Sequence, residues 1–233
     1  MEGTLLRELQ NQDKQFRVYG GGEQTDIDTQ FASRSVSVTH ETLPPGAPDP
    51  FVVIEEHGEF AGAISVSDFQ ELLEPPIVRP GERDDIPAGY RVLVDLLDET
   101  VFTSLERRQL LAVSREIEDR ALRVGSGTLR ASFQTFSRFE PQMELYRRLA
   151  AETDLDIHVS GVEDWTPPDI PGLTYHPDTE GRLERYWMVA FDGGPQEIQA
   201  CGLVATERRD EYDGVWTYDS GKVETILSTL RTV

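Results

Sequence analysis

The chain has 233 residues, 38% of them apolar and 9% aromatic, which excludes a disordered chain and suffices for one large domain or two small ones with an ample core. No apolar run approaches the ~18 residues that span a bilayer, and the start Met1-Glu2-Gly3-Thr4 has neither a basic nor an apolar leader region, so a soluble chain without a signal peptide is expected. Forty-three acids against 22 bases give a net charge of −21, which argues against nucleic acid as a partner, because neutralising phosphates needs a positive surface.

Leu5, Leu6 and Leu9 predict an amphipathic helix at about 4–14, and Phe16-Arg17-Val18-Tyr19 a strand running into Gly20-Gly21-Gly22. A helix at 23–33 follows, with Ile27 and Phe31 on one face, then an alternating strand at 35–40. The four prolines between 43 and 50 mark a loop. Residues 51–55 and 60–64 read as a hairpin turning at His57-Gly58, and Ser67 as the cap of a helix carrying Phe69, Leu72 and Leu73. The Pro-, Gly- and charge-rich stretch 75–89 is where an internal boundary would fall.

Helices are predicted at about 90–102 and 104–124, the second opened by Ser104 and striped by Leu110, Val113, Ile117, Ala121 and Val124. Gly125-Ser126-Gly127 stops that helix. A strand at 128–133, a helix at 137–151 and a strand at 155–159 form a βαβ pattern. A short strand at 173–176 precedes two longer ones at 185–191 and 198–205, joined by the hairpin signal Asp192-Gly193-Gly194-Pro195. A strand at 214–218 and a helix at 219–231 close the chain. This order predicts a mixed α/β (α+β) fold: a mixed sheet with helices on its faces, an N-terminal lobe and a larger C-terminal lobe, read as one unit over 1–233.

All but two of the bases are arginine; Lys14 and Lys222 are the exceptions. Abundant carboxylates with almost no lysine suit a cell that accumulates salt, where screening within ~3 Å at ~1 M makes the self-repulsion tolerable. The charge is uneven: residues 103–148 hold nine arginines and six acids, a basic island in an acidic chain. The lone Cys201 cannot form an internal disulfide, which fits a reducing cytoplasm, and its apolar strand reads as core.

Chemical motifs are few. Gly20-Gly21-Gly22 lacks the spacing and the base of a phosphate loop, and no nucleophile elbow is present. His40, His57, His158 and His176 have no metal-ligand spacing, so no metal is expected, although two of them lie on strands that could meet in space. No cofactor is evident and no catalytic residue stands out. Two candidate sites remain. Arg107, Arg108, Arg115, Glu118, Asp119 and Arg120, with Arg130 in support, read as a partner- or anion-docking face against the plainer reading of a salt-bridged helix surface. Tyr186, Trp187, Phe191, Trp216 and Tyr218 read as a platform for a flat ligand against the plainer reading of core.

The segments Glu74-Pro75-Pro76-Ile77, Ser114-Arg115-Glu116-Ile117-Glu118-Asp119-Arg120-Ala121, Phe133-Gln134, Tyr146-Arg147-Arg148-Leu149-Ala150, Phe191-Asp192-Gly193-Gly194 and Gly214-Val215-Trp216-Thr217-Tyr218-Asp219 resemble, in order, the DICT sensory domain, in its stand-alone haloarchaeal branch. The resemblance implies a signal-input role, tied to light or a related stimulus, and supplies no catalytic residue; a small ligand is the other stimulus to expect. No output segment is visible in the sequence, so a signal would leave through a partner protein. The expectation is a cytoplasmic, non-catalytic signalling module; an enzyme of unrecognised type acting on a small molecule, or a ligand-free structural adaptor, are the alternatives.

Overall fold

The structure is a computed structural model that describes residues 14–20, 36–73, 101–105, 107–209 and 211–232. The helix expected at 23–33, most of those at 4–14 and 90–102, and the boundary at 75–89 lie outside these residues; Lys14 itself opens a strand. Two mixed sheets carry the fold, one of four strands and one of seven.

The smaller sheet has the order β2-β1-β3-β4, with β1 Lys14–Tyr19, β2 Val36–Glu41, β3 Phe51–Glu56 and β4 Glu59–Ser65. β1 runs parallel to β2 and antiparallel to β3. Alternation places Phe16, Val18, Val52 and Ile54 in the interior, where Phe69 of α1 (Val66–Leu73) meets Phe16 edge-to-face at 6.0 Å. The β3–β4 turn uses left-handed φ at both His57 (53°) and Gly58 (79°), the twist a two-residue hairpin requires.

The cap of α1 is Ser65 rather than the expected Ser67: Asp68 N donates to Ser65 Oγ at 2.9 Å. The Ser65→Ala variant is accordingly expected to lose about 1 kcal/mol. Denaturant unfolding checks this against Ser67→Ala, which should lose less.

The larger sheet has the order β5-β11-β10-β9-β6-β7-β8. Its strands are β5 Val101–Leu105, β6 Ser126–Thr135, β7 Asp154–Val162, β8 Leu173–Pro177, β9 Tyr186–Phe191, β10 Cys201–Arg208 and β11 Glu211–Thr217. β6, β7 and β8 are mutually parallel neighbours, and the rest pair antiparallel. β5 corrects the expected helices: residues 101–105 pair with β11 at the sheet edge, so Ser104 belongs to a strand and α2 runs from Arg107 to Val124. Val101-Phe102-Thr103 has the β-branched and aromatic character that favours this.

The helix expected at 137–151 is divided into α3 (Phe136–Phe139), a 3-10 turn at Glu140–Gln142 containing Pro141, and α4 (Met143–Glu152). α5 spans Ser220–Arg231, capped by Asp219, whose Oδ1 accepts from Lys222 N at 2.9 Å.

Strand alternation gives the larger sheet two different faces. Leu129, Ala131, Phe133, Ile157, Val159, Trp187, Val189, Phe191 and Leu203 face α2 and the α3–α4 crossover. Met188, Ala190, Val204 and Val215 face α5, which buries Val223, Ile226, Leu227 and Leu230 on them.

The Asp-Gly-Gly turn between β9 and β10 locks onto the start of β6. Asp192 Oδ1 accepts from Thr128 N at 2.9 Å and from Gly194 N at 2.8 Å. The backbones approach so closely that a Cβ on Gly127 would lie 2.5 Å from Asp192 Oδ1, and one on Gly194 (φ 56°) would run into the Ser126 carbonyl oxygen.

Candidate functional site

α2 does not present its charged stretch to solvent. Glu116, Glu118 and Asp119 are buried together with its apolar stripe. Arg115 donates from Nη1 to Glu118 Oε2 and from Nη2 to Gln142 Oε1 of the crossover. Arg123 reaches Asp119 at 3.1 Å and Glu116 at 3.5 Å. Glu118 Oε1 and the Tyr146 hydroxyl are both sealed from water and interact with each other in the interior. Burial pushes the Glu118 carboxyl above its ordinary value despite the pull of Arg115, and it pushes the Tyr146 phenol well up as well.

The six residues expected to form a docking face are therefore split. Arg107 and Arg108 are exposed at the helix start, Arg115 and Arg120 are half-buried, and Glu118 and Asp119 are interior. The crossover supplies the cover that sequence reading could not anticipate. Arg120 lies over the Tyr218 ring at 4.4 Å, and Arg107 over Trp187 at 5.6 Å. Arg130 sits on the opposite face of the sheet from α2, beside Arg231, and does not support that face.

The five aromatics do not share a face either. Tyr186 packs with α5, whereas Trp187, Phe191 and Trp216 pack toward α2; consecutive strand residues must point oppositely. Trp187 and Phe191 are fully buried, and Trp187 Nε1 donates to Ser114 Oγ at 3.0 Å, which itself donates to the Leu110 carbonyl. Tyr218 stands partly buried under Arg120. Cys201 is core, its thiol pushed up to about 12 by burial.

Gln134 holds a left-handed φ of 74° at a bulge in β6. Its amide Nε2 donates to Glu207 Oε2 at 2.6 Å, its Oε1 accepts from Arg138 Nη1, and Arg138 also bridges Glu207 at 2.8 Å. The Arg138 hydrogen bonds hold the Glu207 carboxyl below its ordinary value. This network ties the bulge to β10.

The chemistry that sequence order left scattered gathers on the α5 side of the sheet, over β6, β7 and β8. His158 Nδ1 lies 2.9 Å from His176 Nε2, and His158 Nε2 lies 2.8 Å from Asp156 Oδ2. An ionised carboxylate only accepts, so a neutral His158 carries its proton on Nε2. Its Nδ1 then accepts from His176 Nε2–H, which leaves the His176 Nδ1 lone pair at the end of the chain. Arg130 on β6 stands in register with His158. Burial holds His176 below its ordinary value, and His158 and Arg130 add to this while Asp156 opposes it.

The spacing Asp156-x-His158 and the strand positions of the histidines were the available signals; their meeting depends on parallel β7–β8 register, in which Ser160 opposes His176. Among the described residues, no group of three or more His, Cys, Asp or Glu side chains is placed to hold a metal ion. Nor, among them, is any helix long and apolar enough to cross a membrane.

No curated protein sequence matches the chain. One solved structure, the crystal structure of polyphosphate kinase from Porphyromonas gingivalis, is similar over 97% of this chain and 47% of its own, at 11% identity and a TM-score of 0.37; the chain thus spans about half that structure's length. A family model, "Sensory domain in DIguanylate Cyclases and Two-component system", matches residues 91–209, which hold β5 to β10, the enclosed helix α2 and the histidine pair. The chain belongs to the DICT family of sensory domains.

Proposed function

We propose that this sensory chain is a non-catalytic, cytoplasmic module of a salt-adapted, haloarchaeal-type cell, which receives a stimulus on the polar half of its larger sheet and passes it to a protein partner. The family match over 91–209 carries this reading. The exposed Arg107–Arg108 end of α2 is the coupling surface in it, since Glu116, Glu118 and Asp119 further along that helix are interior. The composition supports the cellular setting: 43 acids, 22 bases and only two lysines.

A test is affinity capture of the full chain in molar potassium chloride, with captured proteins identified by mass spectrometry. Recovery of a cyclase or two-component protein is expected, and recovery should fall at least about tenfold for Arg107→Ser/Arg108→Ser, the loss of roughly 1.4 kcal/mol that two rim charges can supply. Equal recovery by that variant removes the surface assignment.

One observation favours a second reading, an enzyme acting on a small molecule. The order Asp156–His158–His176 is that of a proton relay ending in a general base. Turnover of acyl or phosphorylated small molecules, lost in His176→Gln, would establish it over the sensory one.

A further inference from the structure

We infer that the face formed by Arg130, His158 and His176 is a binding site for a small anion bearing a carboxylate or phosphate group. The half-buried guanidinium of Arg130 makes no ion pair or hydrogen bond among the described residues, and its Nε is sealed from water without a partner. A partly desolvated cation with no counter-charge in contact is unfavourable. Arginines 115, 123, 138 and 231 each receive a carboxylate. In a chain with nearly two acids per base, the missing partner of Arg130 is no matter of supply.

The surroundings sharpen the point. Arg231 of α5, held by Glu224 at 2.8 Å, stands close enough to repel Arg130. From β7 come His158 and Asp156, and from β8 His176. Asp156 attracts Arg130 from outside contact distance, but it is 68% exposed and already bonded to His158 Nε2. Asp178, just beyond β8, has Oδ2 engaged by Leu183 N at 2.6 Å. Arg130 and the histidine pair thus share one exposed carboxylate, Asp156, while Glu224 is taken by Arg231. A planar fork on a rigid strand suits bidentate recognition of carboxylate or phosphate oxygens.

The histidines make the site proton-linked. With an anion bound, the His176 Nδ1 lone pair takes a proton from water, and the resulting imidazolium donates to the ligand through Nδ1 while keeping its Nε2–H bond to His158. Burial, His158 and Arg130 hold free His176 below its ordinary 6.5. An anion counters the Arg130 repulsion, so binding raises the His176 value. By linkage, affinity is highest below the free-state value and falls as pH rises through the bound-state value. The site would be the input of the sensory module, so its biological meaning rests on that reading while its occupancy does not.

The experiment titrates the full chain, at constant molar potassium chloride, with inorganic phosphate and in a separate arm with succinate. Binding is followed by calorimetry and by the ring nitrogen resonances of His158 and His176. At a pH below 6.5, at least one anion is expected to bind with millimolar or better affinity and to shift the His176 titration upward; the arm that responds names the chemical class. Arg130→Gln should weaken binding at least about tenfold, a change of roughly 1.4 kcal/mol, with the ligand-free fold as stable as before or more so. Arg147→Gln, on the exposed side of α4, should bind as the parent does. His176→Gln should bind with a flattened pH dependence. Absence of binding in both arms, or undiminished binding by Arg130→Gln, overturns the site. Partner capture is measured separately, so the sensory reading can stand if the anion site falls, and the reverse.

Discussion

Gly194→Ala is expected to destabilise the protein by roughly 3–5 kcal/mol, the sum of an unfavourable left-handed alanine and the hydrogen bonds lost when the backbones are forced apart. For a chain of this size that lowers the unfolding midpoint by roughly 10 °C. Asp192 Oδ1 joins two backbone N–H groups, one on its own turn and one at Thr128, 64 residues earlier. A methyl group at 194 meets the Ser126 carbonyl oxygen, so β6 and the β9–β10 turn cannot both keep their places. Gly46→Ala is the control: its φ is 85°, but a Cβ there has nothing within 4 Å, so only the conformational term, about 1 kcal/mol, applies. Thermal unfolding in molar potassium chloride decides it. Equal midpoints for the two variants would mean that the interlock contributes nothing beyond the turn conformation.

The interlock also shows where the sequence was readable. Gly125-Ser126-Gly127 as a helix stop and Asp192-Gly193-Gly194 as a hairpin are local signals, and both are present: Gly125 N donates to Ala121 O, and the turn joins β9 to β10. That the two segments bind each other is tertiary, and no local pattern encodes it. The stripe Leu110, Val113, Ile117, Ala121 likewise identified the buried side of α2.

The charges beside that stripe were readable as a docking face or a salt-bridged surface, both of them exposed, because a helix tells which residues share a side and not how many layers cover it. Gln142 and Tyr146, from the crossover, turn the charged side inward. The aromatic residues followed from alternation alone: Tyr186 and Trp187 are adjacent on a strand and must diverge. The histidine pair needed the one thing a single sequence lacks, the register between β7 and β8. Conserving interior charge and leaving Arg130 without an acid are thus opposite solutions in one molecule, the first closing a helix into the core and the second leaving a face ready to receive a counter-ion.

Removing Arg115 is expected to cost more than removing any other charged side chain of α2, about 3–5 kcal/mol for Arg115→Met at neutral pH, because it strands the carboxylate of the fully buried Glu118 and frees Gln142. The pH dependence follows from the direction of the Glu118 shift. Burial already holds that carboxyl above its ordinary 4.5, so its proton-bound form favours the fold: stability is fully present below the unfolded value and is lost as pH rises through the raised folded value. Without Arg115 the folded value climbs further, and the deficit of the variant should widen toward neutral and alkaline pH and narrow in acid. The double variant Arg115→Met/Glu118→Leu removes both charges and should regain most of the loss. Denaturant unfolding of the four proteins across pH closes the cycle. A deficit below about 1 kcal/mol that does not change with pH would be the behaviour of a surface pair and would place Glu118 in contact with solvent. With the larger loss, a partner lost on mutating Arg115 reports on folding before docking, which is why the exposed Arg107 and Arg108 are the positions at which recognition is tested.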